Sequence, residues 1–378
     1  METKTQSLKI LFFIQFGKFI LIFYNKIILN VNLITFLMKK EVITLNSGKV
    51  NEYLHHIDMK SYGTTRMLSV FVGEFEEFSI LLDSGSSLDV KKGLRYLKKN
   101  NIPLSSFKYL ITSHHHFDHN GGMWKLYEEI KKFNPDVKIL TNSLTKMLLN
   151  NYEHHLNRGR STYGNFVGEM RSIKDRAFKI IKPSTCFNPN QLEVIDTFNV
   201  NSSEVKLAIL YTPGHTPDHQ TPILIKDNLI DFIFLGEAAG TIYNNSKLLT
   251  MPTSMPIYYN HEEYMKTLKN LKLLNPLMAG FGHFGIVNGK NNVCEIILEH
   301  ESFMRKFKEL IIKYYNEKPE TKYILERILP ELIPRTDLPV ESNPLFINIT
   351  LGIVYGMMIS LGFRPIPKEE MKYFCENL

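Results

Sequence analysis

Ten residues, SHHHFDHNGG at 113–122, restrict the fold more than any other part of this 378-residue chain. They follow the apolar, strand-like run KYLITS (108–113) and precede the helix-like run MWKLYEEIKKF (123–133), so strand, loop and helix must meet at a cluster of potential metal donors. Alternate side chains of extended backbone point the same way. His114 and His116 can therefore converge on one ion, while Asp118 and His119, one step further on, can reach a second. Imidazole and carboxylate donors suit zinc, and also iron or manganese. Four such donors between 114 and 119, directly behind an apolar strand, exceed what a solvated histidine-rich loop requires.

The rest of the chain is organised around this point. MLSVFV (67–72) and FSILLD (78–83) read as paired strands, followed by a helix over 89–100. Strands are expected at 205–212, 221–226, 231–236 and 276–282, with a helix over 261–274. Several of these strands end in His or Glu, which crowds chemistry onto one edge. From about 291 the pattern is helical only, over 292–315, 322–332 and 345–363. The last of these carries no charge, but its glycines and its place behind two amphipathic helices favour a buried core helix over a membrane span. The expected division is an apolar leader (1–37), a catalytic domain (38–290) and a helical C-terminal domain (291–378).

Composition and charge narrow the classes. Hydrophobic residues at 44% and charged residues at 22% exclude global disorder and a multi-span membrane protein. Three scattered cysteines indicate neither a disulfide framework nor a thiolate metal site, and point to a reducing, cytoplasmic setting. Of the net charge of +7, the leader holds +3 through Lys4, Lys9, Lys18 and Lys26 against Glu2. Lysines interrupt the leader before it reaches the length of a stable membrane span, and Met38 is the expected true start, with membrane association through residues 1–37 as the alternative. Residues 301–378 balance 11 basic against 11 acidic side chains, so the tail has no electrostatic nucleic-acid footprint.

Further motifs carry a family resemblance. ILLDSGSS (80–87), SHHHFDH (113–119), YTPGHTPDH (211–219), FLGEAAG (234–240) and GFGHFG (280–285) stand in the order found in metallo-β-lactamase-fold metallohydrolases, which the chain resembles over about residues 50–290. The resemblance implies an α/β (α+β) fold, an αββα four-layer sandwich, here followed by a small all-α domain. It implies two divalent metal ions, with zinc expected and iron or manganese as alternatives. His114, His116 and His215 would hold one ion; Asp118, His119 and His283 the other. Asp83 would orient a ligand histidine from behind. The family's bridging ligand is usually an aspartate, whereas this chain has Glu237, which keeps the charge and adds a methylene. Replacement by aspartate is expected to restore the usual bridge. His115 and His219, beside ligands in sequence, are expected in supporting or solvated roles.

The implied activity is hydrolysis of an ester, thioester or lactone by a metal-bound hydroxide, similar to the glyoxalase II branch, with Asp118 and Glu237 as the catalytic carboxylates. Two alternatives use the same fold: an iron-dependent persulfide dioxygenase or other oxygen-handling enzyme, and a metal-dependent endoribonuclease or phosphodiesterase. The long connection 151–190 holds a local +5 between 154 and 182, which suggests an anionic small-molecule substrate held by Arg158 and Arg160; nucleic acid is not favoured. Tyr258 and Tyr259 are expected in the pocket wall.

Overall fold

Short apolar runs separated by turn residues pair here into two seven-stranded sheets. A computed structural model of the chain describes residues 42–338 and 344–366; the leader and the expected start at Met38 lie outside the described residues. In chain order the strands are β1 (Ile43–Thr44), β2 (Gly48–Lys49), β3 (Leu54–Asp58), β4 (Ser69–Glu74), β5 (Ser79–Leu82), β6 (Phe107–Ile111) and β7 (Lys138–Thr141), followed by β8 (Phe178–Ile180), β9 (Val194–Val200), β10 (Ser203–Tyr211), β11 (Gln220–Lys226), β12 (Leu229–Gly236), β13 (Met278–Phe281) and β14 (Gly285–Asn288). One sheet runs β1-β14-β13-β12-β11-β10-β9, the other β2-β3-β4-β5-β6-β7-β8. Tight hairpins join β9 to β10 and β11 to β12. Asn201-Ser202 and Asp227-Asn228 at their tips all have positive φ, the backbone that matches the twist of the flanking strands.

Both sheets mix parallel and antiparallel pairs, with β5, β6, β7 and β8 parallel in one and β12 and β13 in the other. Phe71, Leu82, Phe232, Phe234 and Ile286 fill the space between the sheets. Helices α1 (Val90–Lys99) and α3 (Met123–Ile130) cover the outer face of the second sheet, burying Val90, Leu97, Met123 and Leu126 against Val70 and Leu110. The short α2 (Phe117–Asn120) precedes α3; α4 (Ser143–Asn150) and α5 (Glu153–Tyr163) follow β7. Over the first sheet lie α6 (His261–Leu271), α7 (Lys290–Glu317), α8 (Thr321–Leu332) and α9 (Pro344–Ser360), and Leu268, Ile296, Phe307, Ile328 and Phe346 share one apolar cluster with Phe281. The expected αββα layering is what forms, with the C-terminal helices packed on it.

One feature differs from the sequence reading. The connection 151–190 contains α5 and the edge strand β8, and α5 has almost no apolar periodicity to reveal it, since only Leu156 and Gly159 are buried. The uncharged α9 buries Ile353, Val354, Met357 and Met358 in the core, and no helix among the described residues is long and apolar enough to cross a membrane. α9 comes unusually close to the 251–257 loop. A Cβ at Gly356 would lie 1.9 Å from the Ser254 carbonyl oxygen, so only glycine allows the approach, and Ser254 Oγ donates to the Ile353 carbonyl at 2.7 Å.

Candidate metal centre

Strand ends bring the chemistry together. β6 runs out at Ile111 into the loop bearing His114 and His116, and α2 then carries Asp118 and His119. The loop after β10 supplies His215, the end of β12 supplies Glu237, and the β13–β14 turn supplies His283. His114, His116, His215 and Glu237 form one group whose donor atoms all lie within 4.8 Å of one another, and Asp118, His119 and His283 form a second. These seven are the residues the motifs single out as ligands.

One carboxylate oxygen joins the two groups. Glu237 Oε2 lies 2.8 Å from His215 Nε2 and 3.4 Å from His114 Nε2 in the first group, and 3.2 Å from His119 Nε2 in the second. The extra methylene of glutamate thus spans the distance between them. Its backbone is held in place: the Glu237 N–H donates to His219 Nε2 at 3.1 Å, and its carbonyl accepts from Thr253 Oγ1 and Tyr264 Oη, each at 3.2 Å.

Four of the five histidines, His114, His119, His215 and His283, are turned by a partner on Nδ1. His215 Nδ1 donates to the Thr253 carbonyl at 2.7 Å and His283 Nδ1 to the Met67 carbonyl at 2.5 Å. Asp83, buried with φ of 62°, accepts from His119 Nδ1 at 3.2 Å and from the Ser113 hydroxyl and backbone N–H, both at 2.7 Å. With its own proton committed to Asp83, the Ser113 hydroxyl accepts from His114 Nδ1 at 3.0 Å. The Nε2 lone pairs of these rings are thereby aimed inward.

That arrangement fits a cation. His119 Nε2 and His283 Nε2 face each other at 3.1 Å, as do His215 Nε2 and His116 Nδ1, and His114 Nε2 is buried with no hydrogen-bond partner. Ring nitrogens stay this close when a proton or a metal ion lies between them, and the spacing suits a metal, since donors around a tetrahedral zinc with bonds of 2.0–2.1 Å stand roughly 3.3 Å apart. Electrostatics agree. Burial drives His114 well below its ordinary pKa and His116 down to about 3, leaving both neutral. Burial alone would raise the Glu237 carboxyl, but His215 and the neighbouring rings of His114, His116 and His119 hold it well below its usual range. Asp118 is likewise depressed, with burial outweighed by His119 and His283. His119 moves the other way, because Asp118, Asp83 and Glu237 outweigh burial and raise it well above its ordinary value. Ionised Glu237 and Asp118 beside neutral His114 and His116 are donors prepared for a divalent ion, which would take the place of the proton that the surrounding carboxylates favour on His119.

The other singled-out residues are distributed differently. His115 and His219 are fully buried, not solvated. His115 Nδ1 pairs with Asp218 at 2.9 Å, and both nitrogens of His219 are taken, by the Glu237 N–H and by Thr212 Oγ1 at 2.8 Å. A cavity of about 480 Å³ opens onto the donors, with His116, Asp118, Glu237 and His283 in its wall. Of the four expected substrate contacts, Arg158 alone lines this cavity. Arg160 is an exposed residue bonded to the Gly168 carbonyl; Tyr259 is packed against Tyr264, and Tyr258 is packed with Leu148 and Ile257, edge-on to His115. The remaining cations of the +5 segment are exposed on the surface, away from the cavity, so that segment does not make its wall basic.

Residues the motifs do not reveal complete the wall. The Tyr62 hydroxyl donates to Asp118 Oδ2 at 3.2 Å, and Tyr62 stays protonated because burial and Asp118 raise it well above its ordinary value. Tyr163 and Tyr243 flank it, His155 stacks on His116 at 5.3 Å, and α9 adds Ile349, Leu351 and Tyr355. The one available signal was the His154-His155 pair inside the long connection; the tyrosines and α9 carry none.

The metallo-beta-lactamase superfamily model matches residues 65–283. The metallo-beta-lactamase fold-containing protein ST1585 of Sulfurisphaera tokodaii is 26% identical over 259 residues, covering 68% of this chain and 87% of that protein. The crystal structure of ST1585, described as that of an archaeal metallo-beta-lactamase superfamily protein, superposes with a TM-score of 0.56 at 20% identity, over 82% of this chain and 99% of that one. The metallo-beta-lactamase family protein TTHA1429 of Thermus thermophilus follows at 0.53 and 12% identity, over 82% and 92%. With more than half its length matched by the family model and the donor cluster at the strand ends, this chain belongs to the metallo-beta-lactamase superfamily.

Proposed function

We propose that this protein is a metal-dependent hydrolase that cleaves an ester, thioester or lactone bond, with two zinc ions held by the two donor groups. The observation that carries this reading is Glu237 Oε2 in contact with histidines of both groups at the wall of the cavity. Bound divalent ions would supply Lewis acidity and lower the pKa of water toward neutrality. The chain supplies the rest. Among the described residues no serine or cysteine lines the cavity, and the hydroxyls of its two threonines are engaged, Thr162 with the Arg158 carbonyl and Thr321 with Arg364, so water is the nucleophile the site offers. Asp118, ionised and exposed to the cavity, accepts a hydrogen bond from that water and orients it. The Tyr62 hydroxyl, protonated and beside Asp118, can turn its one proton from Asp118 to the oxygen on which negative charge develops. The surrounding tyrosines and Phe117 give these groups a largely apolar setting, which strengthens their contacts. A phosphodiester or nucleic-acid substrate is disfavoured, because the exposed cations of 154–182 do not line the cavity and only Arg158 does.

The test is metal analysis by mass spectrometry of protein purified without added metal, followed by a panel of esters, thioesters and lactones. Two zinc ions per chain and turnover of a member of the panel, abolished together with first-group metal in His116→Ala, are expected. A single iron with persulfide oxidation and no hydrolysis would replace this reading.

A further inference from the structure

Resting on the hydrolase reading, we infer that the non-reacting part of the substrate is an apolar acyl chain of medium length, seated against α9. The cavity wall beyond the metal donors is dominated by Tyr62, Phe117, Tyr163 and Tyr243 on one side and by Met255, Ile349, Leu351 and Tyr355 on the other. α9 carries no charged residue between 344 and 360, yet it leaves Ile347 and Leu351 exposed at 38% and 41%. These two lie one turn apart on the same helix face, and Leu351 lines the cavity. Keeping large apolar side chains wet beside a reactive centre is unfavourable unless what passes them is itself apolar. Among the described residues Arg158 is the one Lys or Arg in the wall, and it is already engaged, 3.4 Å from His155 Nδ1 and over the Tyr258 ring at 5.7 Å.

Size follows from the cavity. Its 480 Å³ or so falls in the range that encloses a small organic ligand. At roughly 30 Å³ per methylene, comparable to the share of a liquid water molecule, and with about half the space given to the reacting group and leaving group, a chain of about six to ten carbons fits. The far wall is rigid. Gly356 on the Ser254 carbonyl and the Ser254–Ile353 hydrogen bond seat α9 on the loop whose Thr253 carbonyl also orients His215, so the chain-binding wall and a metal donor are placed by one segment. Gly352 lines the cavity beside Met255, and a Cβ there would come 2.9 Å from Met255 Sδ, so any side chain at 352 takes up cavity space.

Two measurements on the zinc-loaded full chain test the inference: kcat/KM for linear acyl thioesters of one thiol from two to twelve carbons, and calorimetric binding of the matching carboxylates, which needs no turnover. Both should rise by about fourfold per methylene, the equivalent of ~0.8 kcal/mol, and then fall beyond the length that fills the cavity. Gly352→Leu should move the optimum to shorter chains and Tyr355→Ala to longer ones; general loss of structure cannot produce shifts of opposite sign. Hydrolysis with no chain-length dependence would overturn the apolar-chain inference and leave the hydrolase reading standing. Chain-dependent carboxylate binding with no hydrolysis of any ester, thioester or lactone would support the inference and remove the hydrolase reading.

Discussion

Gly282 lies in the turn that carries His283, and replacing it with alanine should disable one metal group without touching a ligand. A Cβ on Gly282 would sit 2.6 Å from His119 Cε1, 3.2 Å from His119 Nδ1 and 3.1 Å from the Gly236 carbonyl oxygen. The first of these is roughly 0.8 Å inside ordinary van der Waals contact. His119 has no room to yield, because its Nδ1 is bonded to Asp83 and its Nε2 faces His283 at 3.1 Å and Glu237 at 3.2 Å. Overpacking of this kind typically costs about 1–3 kcal/mol. Displacing a ligand or its support typically weakens metal affinity by about 10- to 100-fold, which is about 1.4–2.7 kcal/mol and therefore consistent with the strain. Titration of metal-free Gly282→Ala with zinc against a chromophoric chelator should show one site near wild-type affinity, that of His114, His116 and His215, and a second weakened by that factor. Two sites of unchanged affinity in a variant folded by circular dichroism would refute the packing argument.

Glu237→Asp is now expected to weaken metal binding, contrary to the restoration that family habit suggests. Removing a methylene withdraws the carboxylate by about 1.5 Å, and the backbone, bonded to His219, Thr253 and Tyr264, cannot follow; equal or tighter binding of two zinc ions by the same titration would show that it can. His56, buried and outside both donor groups, packs on Phe284, donates from Nδ1 to the Asn46 carbonyl at 3.1 Å and accepts at Nε2 from Ser69 Oγ at 2.8 Å. Burial lowers its pKa from 6.5 to about 4. Below 6.5 the unfolded chain binds the proton that the folded chain refuses, so this stability is complete above 6.5 and declines as pH falls toward 4, by up to about 3 kcal/mol. Urea unfolding from pH 7 to 4 should accordingly give a shallower acid limb for His56→Gln than for the wild type, and parallel limbs would count against the assignment.

The donor cluster was legible in the chain because it is local: a strand that ends in HxHxDH must present those side chains together, and the single His or Glu closing three later strand-like runs needs only a sheet edge to join them. The strands over 69–74, 79–82 and 229–236 were legible for the same reason, since alternating or continuous apolar character reports burial directly. Tertiary structure decided everything that depends on approach between distant segments. His116 meets His215 across 99 residues and His119 meets His283 across 164. Whether Glu237 could join both groups depended on how far β12 stands from them. That His219 supports the Glu237 backbone rather than binding metal follows from both its nitrogens being taken, and that the basic connection turns its charges outward follows from where α5 lies; neither is a property of composition. Most of all, the far wall of the cavity comes from α9, more than 200 residues after the histidine cluster. Periodicity states which side of a helix is buried but not what it is buried against, so the shape that selects a substrate exists only once the layers have packed.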